Sequence, residues 1–246
     1  MAVIWQASGT LLGSTGADIT PVNPAHATND ILVLQACSRV TTETLLTPSG
    51  WTILAGPTNA STIWRSYWFW IRATSGAMAN PLCDWSAATG QKYGRVHNIR
   101  GAITTGNPFA ASAVTAGTAD PGSATGITTT AANQFVFTLG LVADNLATAV
   151  TVTATDPATF TSRTYTIIAT GNDAGSFFQD ASRTNIGATG AVSHDFNGVP
   201  LAWAILIGAV TVAEAGGDVF FENDICSIED GIKANTAAGM DGVLIT

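Results

Sequence analysis

Ser193, His194 and Asp195 stand side by side and carry the residue types of a nucleophile, a general base and an orienting acid. A hydrolytic triad is assembled from positions that meet in space in defined roles, so adjacency along the chain reads as a loop holding a hydrogen-bonded histidine. His26 and His97 are isolated and give no metal-ligand spacing. Cys37, Cys83 and Cys226 are an odd, widely spaced set, neither a disulfide framework nor a zinc signature, and read as small buried hydrophobes. Asp224 with Glu229 and Asp230, or Asn172 with Asp173, could offer oxygen to Ca²⁺, but the Asp-x-Asp-x-Asp-Gly loop is missing. There is no G-x-S-x-G elbow, P-loop, G-x-G-x-x-G or H-E-x-x-H. The expectation is a non-enzymatic protein, with no catalytic residue, cofactor or metal assigned.

The remaining chemistry is that of aromatic surfaces. Seven tryptophans are present, and Trp85 and Tyr93 fall near expected loops, where rings can stack on sugars. The densest feature is Ile63-Trp-Arg-Ser-Tyr-Trp-Phe-Trp-Ile-Arg72. As a strand it points Trp64, Ser66, Trp68, Trp70 and Arg72 one way and Ile63, Arg65, Tyr67, Phe69 and Ile71 the other. Both faces are largely apolar. Two readings stand: a central strand between an inner core and a second covered surface, or an aromatic row lining a sugar groove or subunit interface.

The elements that must position these groups are strands. Strand-like runs are expected near 3–7, 31–37, 51–54, 63–72, 92–100, 134–142, 149–155, 163–169 and 200–212, punctuated by Thr47-Pro-Ser-Gly50, Asn80-Pro81, Gly106-Asn-Pro108 and Asp120-Pro-Gly122. No segment before residue 211 shows a 3.6-residue period, and the excess of Thr and other β-branched residues suits pleated surfaces. The spacing predicts an all-β fold, an antiparallel β-sandwich of jelly-roll type over 1–212. Of the 246 residues, 46% are hydrophobic and only 11% charged, which excludes disorder for most of the chain.

Charge divides the chain. The net charge is −8; residues 1–210 hold 10 acids and 8 bases, whereas 211–246 hold 7 acids and one base. No Lys/Arg stripe exists to displace counterions from phosphates, so no nucleic-acid partner is expected. The run Val199–Val210 is too short to span a bilayer comfortably, so no membrane insertion is expected. The N-terminus, Met1-Ala-Val-Ile-Trp-Gln, lacks the basic region of a secretory signal, which suits synthesis in a cytoplasm. Gly216-Gly217 breaks the final strand, and the acidic C-terminal extension, 213–246, carries Phe220, Phe221, Ile225, Ile228 and Ile232. Ser227 with Asp230 resembles a capping box, and Gly239 could close a helix of about ten residues. Acidity combined with large apolar groups suits an arm docked on a partner subunit, with those five residues as anchors; folding back onto its own sandwich is the other reading.

Several stretches are familiar together: Asn29-Asp-Ile-Leu-Val-Leu-Gln-Ala36, Thr47-Pro-Ser-Gly-Trp-Thr-Ile-Leu54, Trp68-Phe-Trp-Ile-Arg-Ala-Thr-Ser-Gly76, Arg95-Val-His-Asn-Ile-Arg-Gly-Ala102 and Asn133-Gln-Phe-Val-Phe-Thr-Leu-Gly140. In this order, residues 25–212 resemble the β-sandwich modules of tailed-bacteriophage virion proteins. Those carry a Gly-Asp-Leu-Leu-Val strand, a Pro-x-Gly-Trp turn, an aromatic strand ending in Arg-Ala-Thr, and a mid-chain Arg-Gly-Val. The chain departs from that pattern at Asn29 for Gly and at Gly101-Ala for Gly-Val. The resemblance implies a structural protein of the virion surface, such as a head decoration protein, head fibre, tail fibre or spike. Its partners would be other virion proteins (capsid or tail subunits) and further copies of itself. The alternative is a carbohydrate-binding, lectin-like receptor-binding module for a host-surface glycan, with Trp85 and Tyr93 as its contacts.

Overall fold

The computed structural model describes residues 2–144, 150–169, 173–198, 200 and 202–213, together with the backbone of 225–228 and 231–234. It divides into two compact units, Met1–Ala213 and Glu214–Thr246. The first is all-β among its described residues. One sheet is built from β1 (Ile4–Ser8), β2 (Leu12–Thr15), β3 (Ile31–Ser38), β4 (Thr52–Ala60), β5 (Trp64–Arg72) and β6 (Gln91–Arg100), in the order β1-β6-β3-β5-β4 with β2 also on β6. The next part of the chain contributes β7 (Phe109–Gly117), β8 (Gly122–Ala124), β9 (Thr128–Thr129), β10 (Gln134–Val142), β11 (Thr151–Ala154), β12 (Thr161–Ile168), β13 (Ala174–Arg183), β14 (Gly187–Ala188), β15 (Val192–Asp195) and β16 (Trp203–Val210). Of these, β12-β13-β10-β16-β7 form a second sheet, β11-β15-β8 a small third one, and β14 pairs β9.

The two sheets enclose one apolar layer, and each carries a further covered layer on its outer face. Ile31, Val33, Trp64, Trp68 and Ile99 from the first sheet meet Phe135, Phe137, Leu139, Phe178 and Leu206 from the second. On the outer face of the first sheet, Leu32, Leu34, Tyr67, Phe69 and Val96 are covered by Ile19, Leu45, Trp51, Cys83 and Trp85 from loops. On the outer face of the second, Val136, Phe177, Trp203, Ile205 and Ile207 are covered by Ala124, Val150, Val192 and Phe196. This explains why β3, β10 and β16 are buried at every residue and read as continuous apolar runs. It also decides the aromatic strand. Trp64 and Trp68 enter the inner core, with Trp70 against it, while Tyr67 and Phe69 enter the outer one, so β5 lies between two covered surfaces.

The antiparallel sandwich is as the sequence leads one to expect, but its strand order differs from a jelly roll, in which successive strands cross between sheets. Here the five long strands of the first half share one sheet and those of the second half share the other. Numbered within its own half, each sheet has the same order: first, last, second, fourth, third. The irregularities repeat as well. Trp5 pairs Ile99 and, after one extra residue, Ala7 pairs Asn98; Phe109 pairs Val210 and, after one extra residue, Ala111 pairs Ala209. In the same way Ile53 and Ala55 face Phe69 and Trp68, and Ser162 and Thr164 face Gln179 and Phe178. Even the covers match, since the bridges Leu45–Trp85 and Ile19–Cys83 follow the loop order of β11-β15-β8. The body is therefore two structural repeats packed sheet to sheet. Bulges are features that twist and re-aim a strand, and two pairs of them at matching positions are a signature of repetition.

Two positions near the sheet ends have a backbone reason. Asn29 has φ 70, in the left-handed region that Asn tolerates better than most residues. Its counterpart before β10, Asn133, has φ 58. Gly101 has φ 89 and its Cβ would meet the Ala2 carbonyl oxygen at 2.3 Å.

In the second unit the helix expected from the Ser227 capping box is not formed. β17 (Ile225–Ile228) and β18 (Gly231–Ala234) pair antiparallel, with Ile228 opposite Gly231. The physical reason is local: the β-branched Ile225 and Ile228 favour an extended chain, and a glycine at 231 disfavours a helical interior.

Candidate functional site

The residues with catalytic types are spent on structure. In β15 side chains alternate, so His194 is buried beside the Phe177 ring (5.4 Å between centroids) while Asp195 is exposed, with Oδ1 accepting the Asn197 amide. Burial pushes the His194 imidazole down to about 4, although the backbone at Val192 and Gly122 works the other way. His26 staples two loops: Nδ1 lies 2.7 Å from the Pro24 carbonyl oxygen and Nε2 accepts the Met78 amide at 3.1 Å. His97 Nδ1 lies 2.7 Å from Ser8 Oγ, and burial, aided by the Arg95 charge, holds the ring well below the usual histidine range. The thiols of Cys37 and Cys83 are buried and free; burial raises both, that of Cys83 to about 12.

The carboxylates are likewise engaged. Asp30 takes Arg100 with both oxygens at 2.8 Å, and Asp180 takes Arg163 at 2.7 and 3.0 Å. Asp156 meets Arg183, and Glu43 meets Lys92. Asp120 accepts the amides of Phe196 and Gly198, and Asp18 that of Trp85. Among the described residues there is no group of three or more His, Cys, Asp or Glu able to hold a metal. Of the oxygen donors considered for Ca²⁺, only Asp173 is described, and its carbonyl accepts Arg39.

Neither aromatic candidate for glycan contact offers a face. Trp85 is 5% exposed and packs edge-on against Tyr67 in the outer core. Tyr93 is 2% exposed and stacks on Trp64 in the inner core, with its hydroxyl donating to Gln91 Oε1. It does border a crevice of about 160 Å³, lined also by Gly13, Ser14, Thr15, Gln91 and Ile168. A larger open groove of about 420 Å³ lies over the third layer between Ser123, Thr125, Gly126, Thr128, Ala188 and Gly190. Its lining carries no charge and mixes the hydroxyls of Ser123, Thr125 and Thr128 with the apolar Ile127, Ala188 and Ala191.

Phe220 and Phe221 lie outside the described residues. Ile225, Ile228 and Ile232 fall on the β17–β18 ladder, Ile232 opposite Ser227. No known protein family, curated protein or solved structure matches this chain.

Two polar clusters escaped the sequence reading. One is Glu43 with Lys92, both buried. The other is Arg95, Gln35 and their neighbours on the inner face of the first sheet. The available signal was β6 itself: Gln-Lys-Tyr-Gly-Arg-Val-His-Asn-Ile-Arg carries charge on both faces, yet eight of its ten residues are buried.

Proposed function

We propose that this protein is a non-enzymatic structural component on the exterior of a tailed-phage virion, a β-sandwich body joined to neighbouring capsid or tail subunits through its C-terminal unit. The supporting observation is the break at residue 213. The nearly charge-balanced body ends as one compact unit at Ala213, and the strongly acidic, apolar-rich remainder forms another. The acids would steer that unit to a basic patch, and aliphatic and aromatic burial would hold it there, since exposed ion pairs contribute only about 0–1 kcal/mol each. The body supports a structural role because its His, Cys and most of its acids are committed to packing and pairing. The phage setting rests on the resembled motifs of residues 25–212. The lectin-like alternative is weakened by the burial of Trp85 and Tyr93.

The test is deletion of 214–246 followed by assembly into particles. The expected outcome is a folded body that is absent from purified virions. A folded truncated body incorporated at full occupancy would overturn the attachment role.

A further inference from the structure

The repeat supplies its own control for what the fold requires. On the inner face of the first sheet, Arg95, Gln35 and Trp68 form one row across β6, β3 and β5. The equivalent row of the second sheet is Leu206, Leu139 and Phe178 across β16, β10 and β13. The same architecture is thus built with three apolar residues in one half, so its packing does not call for Arg95 and Gln35 in the other.

The polar row is also incompletely bonded. Arg95 is 5% exposed; its Nε donates to the Gly9 carbonyl (2.7 Å) and its Nη2 to Thr164 Oγ1 (2.8 Å), both neutral acceptors. The four ion pairs among the described residues leave it out. Arg95 Nη1, Gln35 Oε1, Trp68 Nε1, and the adjacent Ser66 Oγ and His97 Nε2 are buried with no hydrogen-bond partner. A buried cation without a counter-charge is costly, and each orphaned donor or acceptor adds its own desolvation penalty. Burial lowers the guanidinium only to about 10, so it stays charged at neutral pH. Gln35 Nε2 donates to Ser176 Oγ; a half-turn of that amide would let the Ser176 hydroxyl donate instead and free an N–H for the row.

We propose that this row is a buried binding site for a small monovalent anion of halide size, held by Arg95 Nη1 with the Gln35 amide and neighbouring N–H and O–H donors, between the two repeats. The charge is what selects an anion over water: one uncompensated cation, several donors, and no acid within the cluster.

The probe is chloride replacing gluconate at constant ionic strength, with the full chain followed by thermal unfolding. Wild type should gain about 4 °C in Tm as chloride rises from micromolar to a few hundred millimolar. Arg95→Leu, which copies Leu206, should fold and lose that dependence. If Arg95→Leu does not fold, bromide-soaked wild-type crystals read the site directly, with an anomalous peak expected within hydrogen-bonding distance of Arg95 Nη1. A wild-type Tm indifferent to chloride, an equal response in Arg95→Leu, or crystals with no peak there would each overturn the site, the first being the outcome for a water-filled row.

Discussion

The buried Glu43–Lys92 pair makes a sharp test of how the first repeat is held together. Lys92 Nζ lies 2.9 and 3.0 Å from the two carboxylate oxygens, with the side chains 0% and 2% exposed. It also donates to the carbonyls of Ala87 and Gly90, while Glu43 accepts from Ser38, from Thr89 through both N–H and hydroxyl, and from the Gly90 amide. Burial opposes ionisation of Glu43, but the hydrogen bonds from Ser38, Lys92 and Thr89 outweigh it and hold the carboxyl at about 2, against 4.5 when unfolded. On acidification the unfolded chain takes up the proton first. The stabilisation is therefore complete above about pH 4.5 and lost as pH falls through 2. At 1.36 kcal/mol per unit it amounts to about 3 kcal/mol. Urea unfolding followed by tryptophan fluorescence between about pH 5 and about pH 2 should show this loss in wild type and a flatter profile in Glu43→Gln. At neutral pH Lys92→Met should cost about 3–5 kcal/mol, because it strands a buried carboxylate, and adding Glu43→Leu should recover part of that. The reasoning fails if Glu43→Gln keeps the wild-type acid slope, or if Lys92→Met costs less than about 1 kcal/mol.

Other outcomes follow from the same structure. Because burial keeps His194 neutral down to about 4, its contribution is present above the unfolded value of 6.5 and lost as pH falls toward 4; His194→Phe should flatten the stability profile in that window. Trp68→Ala should cost about 3–5 kcal/mol by urea unfolding, and a loss below about 1 kcal/mol would place the ring outside the core. At Gly140 an added Cβ would sit 2.1 Å from the Phe177 ring, so Gly140→Ala should destabilise by about 1–3 kcal/mol through overpacking; an unchanged urea midpoint would contradict that contact.

Much of the fold was legible because strand patterning is local. Runs such as Ile31–Ser38, Trp64–Arg72, Gln134–Val142 and Trp203–Val210 announce themselves by β-branched and aromatic content bounded by turn residues. The two apolar faces of β5 left two readings open, and the structure covers both faces. β7 and β13 were harder to see. Phe109–Gly117 is mostly Ala, Ser and Thr, with little apolar contrast, and Ala174–Arg183 carries Gln179, Asp180 and Arg183, whose polarity is satisfied by distant partners.

The amino-acid order alone determined the β character, the turns, the charge-poor body and the acidic break near residue 213, since each depends on composition or on neighbours a few positions apart. Only the tertiary structure decided which faces meet. The two repeats share strand order and bulges while their equivalent rows read Arg-Gln-Trp and Leu-Leu-Phe, so beyond the matched Asn29 and Asn133 the residues say little of the duplication. The partners of Glu43, Arg95 and His194 come from segments far along the chain, joined by strand pairing and sheet packing. Ionisation and burial are set by those long-range neighbours, so chemistry that looked available in the sequence became structural once the sheets closed.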